Sequence, residues 1–377
     1  MSLSKKIFFI SSSLLALTLF FLGIYYLSFK KPADKVAEVE KKIEQASSAS
    51  NNSPPKSTQE PGIFAVTNEP VIGPSYIDAS HIIKYYSKSD GKTYEIDPDG
   101  LGKKTISAKE LRDLAGIYWS PDKKKVISKF SNGPGQYKFS YYNYSTGKGL
   151  ALGANLDYVI WKDDNKIFYK YFNPSSKERS LNIANPDGTD WEKIVDISFK
   201  DIYIAPVPQS GLVSFWNTPD AFQETVFQSV SIVGKSAKTL FTGKFGADYL
   251  WNWDGTRSLV SHTDARGGSR IDLGVINDQG GEYKNLEIPT LVSKCVWSRD
   301  NKKVYFALPG SLPDNVLMPN DYDAKKFTTT DTFWKVDVTT GKKERMIELE
   351  KMQGNYDATN LFLSPDEDSL FFINRID

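Results

Sequence analysis

The sequence predicts an all-β fold: a β-propeller of about seven four-stranded blades, preceded by a single transmembrane helix. Three observations lead to it. Two apolar strands joined by a short Asp-bearing turn recur along the chain, a hairpin turn ending in Gly recurs in phase with them, and an uncharged apolar stretch covers residues 7–29. Four strands in a repeat of about 45 residues are typical of a propeller blade. Six or eight blades stay open as alternatives.

The first repeated element is a strand, a turn and a second strand, as in YWSPDKKKVISKF from Tyr118. Further copies begin at Ile160, Leu250, Val296 and Phe362, with weaker ones at Pro74 and Pro206. Successive turns are 44, 42, 45, 45, 46 and 66 residues apart, measured between Asp78, Asp122, Asp164, Gln209, Asp254, Asp300 and Asp366. The longer last step indicates an insertion.

The strand before each turn is apolar at consecutive positions, as expected for an inner strand that neighbouring blades pack on both faces. Four copies of this strand end in tryptophan: Trp119, Trp161, Trp251 and Trp297. Each indole ring can fill the space between adjacent sheets, and its N–H can reach a backbone oxygen. We therefore expect these rings to join neighbouring blades.

The second repeated element is a strand that ends in a turn containing Gly, which supplies positive φ in hairpins. It recurs at Gly100, Gly147, Gly188, Gly234, Gly280 and Gly341. The seventh repeat shows only two strands before Asp377. Residues 63–67 (IFAVT) are predicted to supply its outer strand and so close the ring.

Four regions are predicted: a short tail (1–6), a transmembrane helix (7–29), a helical stalk with a Ser/Pro/Asn-rich spacer (30–61), and the propeller (62–377). The apolar stretch would span about 34 Å as a helix, enough for a hydrocarbon core of about 30 Å. A cleaved signal peptide is the alternative, but no small-residue cleavage site follows. We expect a single-pass protein of the cell membrane, with the lipid bilayer as the partner of this helix and an extracytoplasmic propeller.

Charge and cysteine content narrow the function classes. Residues 61–377 hold 39 basic and 41 acidic residues, a near-neutral balance without the basic surface that nucleic acid needs, so no nucleic-acid partner is expected. Cys295 is the single cysteine, and it lies in an apolar strand, so we interpret it as a core residue.

Catalytic and metal-binding patterns are missing from the sequence. No Gly-x-Ser-x-Gly pentapeptide occurs, and the two histidines, His81 and His262, are expected on blade strands. Zinc would need clustered Cys and His. The Asp-rich turns at 97–100 and 185–190 are interpreted as hairpin turns and not as calcium loops. No catalytic residue, metal ligand or cofactor is therefore predicted.

Departures from the repeat are the candidate binding regions, because extra residues on a propeller lie on its rim or faces. They are residues 308–332, 217–224 and 263–270. Simple tolerated insertions are the alternative interpretation. The candidate partner-binding residues are Trp253, which replaces the turn proline of its repeat, Trp216, Leu317, Met318, Tyr322 and Phe327.

The run WSPDKKKVI at Trp119, echoed by VWSRDNKKVYF and LFLSPDEDSLFF, resembles the repeat of TolB-like and dipeptidyl-peptidase-type propellers, which are WD-like repeat proteins. The Trp-Ser-Pro-Asp signature is complete at residues 119–122 and partial in the other copies. The resemblance covers about residues 62–377. It implies the fold, whereas function varies widely among such propellers.

The sequence is compatible with three functions. The first is an envelope module that binds a protein, a peptide or a glycan. The second is a hydrolase or lyase with a site at the central channel, which would require an acid–base pair within hydrogen-bond reach there. The third is a structural assembly factor for another membrane protein.

Overall fold

The computed structural model describes residues 62–234 and 236–376. The predicted tail, transmembrane helix and spacer (1–6, 7–29 and 30–61) lie outside these residues. In the described ranges, no helix is both long enough and apolar enough to cross a bilayer. The described chain consists of antiparallel sheets with one short α-helix, which confirms the predicted all-β class.

The first three sheets each contain four antiparallel strands in chain order. The first comprises β1 (Val71–Ile77), β2 (Ile82–Ser87), β3 (Thr93–Ile96) and β4 (Lys104–Ser107). The second comprises β5 (Leu114–Trp119), β6 (Lys125–Ser131), β7 (Tyr137–Asn143) and β8 (Lys148–Ala151). The third comprises β9 (Leu156–Trp161), β10 (Ile167–Phe172), β11 (Arg179–Ala184) and β12 (Glu192–Asp196).

The next sheet has seven strands because one long strand serves two repeats. It comprises β13 (Ile202–Pro206), β14 (Leu212–Asn217), β15 (Glu224–Ser231), β16 (Lys238–Trp251), β17 (Arg257–Thr263), β18 (Ile271–Asn277) and β19 (Lys284–Asn285). The first part of β16 pairs with β15 and its second part pairs with β17. Gly246 lies between the two parts with φ +56°, and a Cβ there would meet Pro319 Cδ at 2.6 Å.

Two sheets complete the described chain. One comprises β20 (Cys295–Trp297), β21 (Lys303–Pro309), β22 (Asp331–Asp337) and β23 (Lys343–Arg345), and the other comprises β24 (Ala358–Leu363) and β25 (Leu370–Asn374). The α-helix, α1 (Asn320–Asp323), lies between β21 and β22. Short 3-10 helices cover Val292–Lys294 and Leu349–Lys351.

Residues 63–67 do not form the predicted outer strand of the last sheet. Instead, Ile63 packs against the cluster that includes Phe372 of β25, and Val66 packs against the core of the first sheet. The segment therefore contacts both ends of the repeat array through side chains and not through a ladder of backbone hydrogen bonds.

Tryptophan side chains join neighbouring sheets in the predicted way. Three indole N–H groups donate to the first strand of the preceding repeat: Trp119 to Gly73 O at 2.7 Å, Trp161 to Tyr118 O at 2.7 Å, and Trp297 to Leu250 O at 3.1 Å. Trp251 donates to Ser214 Oγ at 2.9 Å. A buried ring with a satisfied N–H fills the space between sheets and fixes their separation.

Three of the turns between first and second strands share one hydrogen-bond pattern. A serine hydroxyl donates to the aspartate two residues later at 2.6 Å in the pairs Ser120–Asp122, Ser298–Asp300 and Ser364–Asp366. Backbone N–H groups bond to the same serine oxygen or the same aspartate. We call the side of the molecule with these turns the turn end, and the opposite side, with the loops between second and third strands, the loop end.

Replacing Trp161 by Phe tests the indole contact between sheets. An aromatic ring is kept, but the smaller phenyl group fills less space and the Tyr118 carbonyl loses the indole N–H that donates to it, so we expect the free energy of unfolding to fall by about 1–3 kcal/mol. Urea denaturation of the full chain, followed by circular dichroism, measures it. Trp191→Phe is the matched control, because that side chain is 63% exposed. An equal effect of both substitutions would contradict the assignment.

Candidate functional site

The three irregular regions singled out in the sequence come together at the loop end. They are residues 217–224 between β14 and β15, 263–270 between β17 and β18, and 308–332 between β21 and β22. Four hydrogen bonds join them: Gly267 N–H to Ala221 O at 2.7 Å, Ala221 N–H to Asn320 Oδ1 at 2.7 Å, Met318 N–H to Gly268 O at 3.2 Å, and Arg266 Nε–H to Phe222 O at 3.1 Å. We call this joint structure the loop cap.

The loop cap has its own apolar core, and this corrects two predicted contact residues. Met318 and Tyr322 are each 2% exposed and pack with Val316, Ile271 and Leu291. They hold the cap on the sheets and cannot offer an exposed surface. The reason is that the Pro- and Asp-rich loop folds back over the sheet and does not extend into solvent.

Two other predicted residues of the loop cap, Leu317 and Phe327, are partly buried. Phe327 packs beside Tyr322, with ring centroids 5.8 Å apart. The large exposed apolar side chain of the cap is Phe222, with 48% of its surface accessible. Sequence reasoning did not single it out, although it lies in one of the three irregular regions.

A buried ion network lies beneath the loop cap. Lys294 is fully buried, and its Nζ contacts Asp331 Oδ2 at 2.6 Å and Asp357 Oδ1 at 2.7 Å. The Tyr322 hydroxyl donates to the same Asp357 oxygen at 2.6 Å. Hydrogen bonds from Lys294 and Tyr322 hold the pKa of Asp357 below its usual value despite burial, whereas desolvation raises the pKa of Asp331. The network ties the cap to the last two sheets.

Trp216 is also buried, at 4% exposure, so the prediction that it contacts a partner is wrong. It lies on β14 among aromatic rings, where Tyr203 and Tyr249 meet it edge-on with centroids 5.9 and 5.5 Å away. Its indole N–H donates to Asp248 Oδ1 at 3.0 Å. Trp216 therefore orients the Asp248 carboxyl group.

Polar side chains occupy one register position on consecutive first strands. Tyr158 on β9, Tyr203 on β13 and Asp248 on β16 each lie three residues before the last residue of their strand. Asp323 of α1 and Tyr118 of β5 lie within electrostatic range of this group. We call these five residues the axial cluster. Lys294 holds the same position before β20, where the buried aspartates neutralise it.

The axial cluster is deep but not sealed. Protein surrounds Tyr158 and Asp248 densely, yet each retains partial solvent accessibility. Desolvation raises the pKa of Asp248 to about 7, against the opposing hydrogen bonds from the Tyr249 N–H and the Trp216 indole. Desolvation also raises the pKa of Asp323, while the charge of Arg375 acts in the opposite direction.

Trp253 lies at the turn end, where 51% of its surface is exposed. Its indole N–H donates to Trp297 O at 3.1 Å, its backbone N–H donates to Asn301 Oδ1 at 2.8 Å, and the Arg299 guanidinium lies 5.6 Å from its ring centroid. The ring is therefore held in place with one part accessible. Its role in binding a partner stays a prediction.

The remaining reactive side chains have structural partners. His262, on β17, accepts or donates through Nε2 to the Tyr283 hydroxyl at 2.8 Å, and burial lowers its pKa. His81 lies in the turn after β1 and not on a strand. Cys295 is buried, as predicted, and desolvation raises its pKa.

The Asp-rich turn at 185–190 uses its oxygens internally. Asp187 Oδ1 accepts from the Thr189 hydroxyl at 2.7 Å, and Asp190 Oδ2 accepts from the Asn185 amide at 2.7 Å. Across residues 62–234 and 236–376, no group of three or more His, Cys, Asp or Glu side chains is placed to hold a metal ion.

Comparison with solved structures defines the class of fold. The chain is similar to a prolyl endopeptidase from a study of two such enzymes (12% identity over 93% of this chain and 48% of the other, TM-score 0.54). It is also similar to the β-propeller domain of the trilobed protease from Pyrococcus furiosus (12% identity, 77% of this chain and 87% of the other, TM-score 0.50). TolB from Acinetobacter baumannii shows a weaker likeness (15% identity, 72% and 61%, TM-score 0.46).

These likenesses confirm the predicted β-propeller. At such low identities they show the fold alone. The chain spans 61% of the TolB chain and about half of the prolyl endopeptidase. No family model and no curated protein sequence matches the chain.

Replacing Lys294 by Met tests the buried network. Two buried carboxyl groups would lose their cation, so we expect the free energy of unfolding to fall by about 3–5 kcal/mol. Adding Asp331→Asn and Asp357→Asn to the same chain removes the unpaired charge and is expected to recover part of this loss. Urea denaturation measures all three proteins.

Lys193→Met is the control for this series, because Lys193 forms an exposed ion pair with Asp196 that contributes at most about 1 kcal/mol. A loss at Lys294 no larger than the loss at Lys193 would contradict the role of the network.

Proposed function

We propose that this protein is a membrane-anchored binding module of the cell envelope, with a seven-bladed extracytoplasmic propeller that binds a protein or peptide at its loop cap. One observation carries the proposal: three irregular loops from consecutive repeats are joined by hydrogen bonds into one surface. Loops on a rigid scaffold are the usual place for binding residues.

Seven blades follow if β16 is counted in two of them. Each blade then begins with a first and second strand: β1–β2, β5–β6, β9–β10, β13–β14, β16–β17, β20–β21 and β24–β25. Contacts between the last sheets and the first support a closed ring. The rings of Tyr76 and Phe371 are 5.7 Å apart, and Arg299 pairs with Asp78 at 2.9 Å.

The loop cap suits a protein or peptide better than it suits a small molecule. It presents the exposed Phe222 ring together with the Arg266 side chain, whose Nε donates to Phe222 O at 3.1 Å. Aromatic residues and arginine are the side chains that contribute most to protein interfaces. The buried core of the cap keeps these groups in place, which lowers the entropy cost of binding.

Site-specific photo-crosslinking in cells that express the native chain tests the location of the binding surface. A photoreactive phenylalanine analogue at position 222 is expected to give a discrete protein adduct, because that side chain is accessible on the loop cap. The analogue at position 191, also accessible but on the outer hairpin between β11 and β12, is the control. An adduct at 253 and none at 222 would move the binding surface to the turn end.

A second experiment tests for a glycan ligand. If no protein adduct forms at position 222 and Phe222→Ser abolishes binding to purified envelope polysaccharide, the ligand is a glycan. If neither ligand is found, the proposal of a binding loop cap is wrong.

Membrane extraction and protease shaving test the anchor. The full chain is expected to stay in the membrane pellet at alkaline pH, because residues 7–29 are long and apolar enough to span the bilayer. A chain without these residues is expected in the supernatant. Protease added to intact cells should degrade the propeller if it is extracytoplasmic, and protection would reverse the orientation.

A hydrolase or lyase is the second candidate function, and Asp248 favours it. A carboxyl group with a pKa of about 7 is suited to proton transfer. However, among the described residues its hydrogen bonds run to the Trp216 indole and the Tyr249 N–H, neither of which is an acid–base partner. The binding module is therefore the better supported proposal.

A further inference from the structure

We propose that Asp331 is a proton-binding site beneath the loop cap, neutral when the cap is closed, and that loss of its proton loosens the cap. The Asp331 side chain is fully buried. It is therefore separate from the exposed surface proposed for a macromolecular partner. It acts on the attachment of the cap to the sheets and does not itself contact a partner.

The charges of the buried network do not balance when both of its carboxyl groups are ionised. The Lys294 Nζ atom lies 2.6 Å from Asp331 Oδ2 and 2.7 Å from Asp357 Oδ1, and all three side chains are 0% exposed. Two carboxylates and one ammonium group leave one uncompensated negative charge. Such a charge is strongly unfavourable in a buried position, and one bound proton removes it.

Asp357 has the hydrogen bonds of an ionised carboxylate. Its Oδ1 atom accepts from Lys294 Nζ at 2.7 Å, from the Tyr322 hydroxyl at 2.6 Å and from the Thr329 hydroxyl at 2.9 Å. Donors that converge on one oxygen stabilise the charged form. Desolvation opposes them, yet the hydrogen bonds from Lys294 and Tyr322 hold the pKa of Asp357 below its usual value. Asp357 is therefore the counter-ion of Lys294.

Asp331 is the carboxyl group that carries the proton. Its Oδ2 atom accepts from Lys294 Nζ and from the Ala358 N–H at 2.8 Å, whereas its buried Oδ1 atom has no hydrogen-bond partner among the described residues. The Oδ2 atom of Asp357 also lacks a partner there, but three donors already stabilise the other oxygen of that group. Desolvation raises the pKa of Asp331 despite the nearby ammonium group, in agreement with this assignment.

The network is attached directly to the loop cap. Asp331 is the first residue of β22, at the end of the longest loop of the cap, and the Tyr322 and Thr329 hydroxyls come from the same loop. Ionised Asp331 would compete with Asp357 for Lys294 and would attract water. Backbone ladders hold the sheets, while side chains and single hydrogen bonds hold the cap, so we expect the cap to open first.

Other ionisable groups surround the network from every neighbouring element. They are Lys294 on the 3-10 helix before β20, Cys295 on β20, Tyr322 and Asp323 on α1, Asp357 before β24, and Arg375 after β25. Desolvation raises the pKa values of Tyr322 and Cys295, so both stay neutral in the acid and neutral range. The Arg375 guanidinium lies 3.8 Å from the Tyr322 ring centroid, and its charge acts on Asp323.

Infrared difference spectroscopy of the purified full chain tests for the proton. An ordinary aspartate, with a pKa of about 3.9, is ionised at about pH 6. We expect the native chain to show the carbonyl band of a protonated carboxyl group at this pH, and the Asp331→Asn chain to lose it. Asp248 and Asp323 are present in both chains, so their bands cancel in the difference.

Asp337→Asn is the matched control at the other end of β22. The Thr340 and Thr339 N–H groups donate to Asp337 Oδ1 at 2.7 and 3.0 Å, and these bonds lower its pKa. Its carboxyl group is therefore ionised at about pH 6, and the substitution should leave the band of a protonated carboxyl group unchanged.

Stability is expected to depend on pH through Asp331. A raised pKa in the folded state gives a stabilisation that is complete below about pH 4 and is lost as the pH rises through the folded pKa. The folding equilibrium constant of the native chain, relative to that of Asp331→Asn, should fall by up to about tenfold per pH unit in this range. Urea denaturation of both chains at a series of pH values measures the ratio. Asparagine resembles the neutral carboxyl group, so the variant is expected to fold.

Hydrogen exchange shows where the structure opens. The Met318 N–H donates to Gly268 O within the cap, and the Leu259 amide in the β16–β17–β18 ladder is the reference. After correction for the intrinsic effect of pH on exchange, the Met318 amide should lose protection as the pH rises in the native chain. It should keep its protection in the Asp331→Asn chain, and the Leu259 amide should keep it in both.

Three results would overturn the proposal: no infrared difference between the native and Asp331→Asn chains, a stability ratio independent of pH, or the same exchange at Met318 in both chains. Asp357→Asn should be less stable than Asp331→Asn, because it removes the carboxylate on which three donors converge. The reverse order would place the proton on Asp357 and contradict the assignment. All these measurements are independent of the photo-crosslinking experiment, because no macromolecular partner takes part.

Discussion

The hydrogen bond from an indole N–H to the first strand of the preceding repeat is the interaction on which the arrangement of repeats depends. The sheets of a propeller share no backbone ladder, so side chains must set their separation and angle. Trp119, Trp161 and Trp297 do this by filling the space between repeats and by donating a hydrogen bond to a backbone carbonyl of the neighbouring repeat. Repeats without such a tryptophan depend on other contacts. The repeat that begins with β13, which ends in Pro206, is joined to the next repeat through the shared strand β16. The last sheets contact the first sheet through aromatic and charged side chains.

The repeated elements could be predicted from the sequence because they are local. A strand, a tight turn and a second strand lie within a dozen residues, and the turn residues Ser120 and Asp122 make their hydrogen bonds within that stretch. The conformation of residues 63–67 could not be predicted in the same way. Their apolar pattern fits either a strand or a segment packed by side chains, and only the position of β25 and the first sheet decides between them.

The candidate site was harder to predict, since its contacts join residues far apart in sequence. Met318 and Tyr322 lie in a loop rich in Pro and Asp, a composition that predicts exposure, yet both are buried. Met318 packs with apolar residues such as Ile271, and Asp357 accepts the hydrogen bond of the Tyr322 hydroxyl. The burial of Trp216 could not be predicted for a similar reason, since Asp248, which accepts its hydrogen bond, comes from another repeat. One sequence signal could have found the axial cluster. Polar residues stand three places before the last residue of the first strand at Tyr158, Tyr203 and Asp248, and Lys294 stands three places before the end of β20.

The long strand β16 has a mechanical consequence. Other neighbouring repeats are connected by a linker, which lets one repeat tilt without pulling its neighbour, but here the single strand β16 pairs with strands of two repeats. Hinge motion between these two units would require breaking the strand near Gly246, where the backbone already bends against Pro319. The two repeats that share β16 are therefore expected to tilt less relative to each other than repeats joined by a linker.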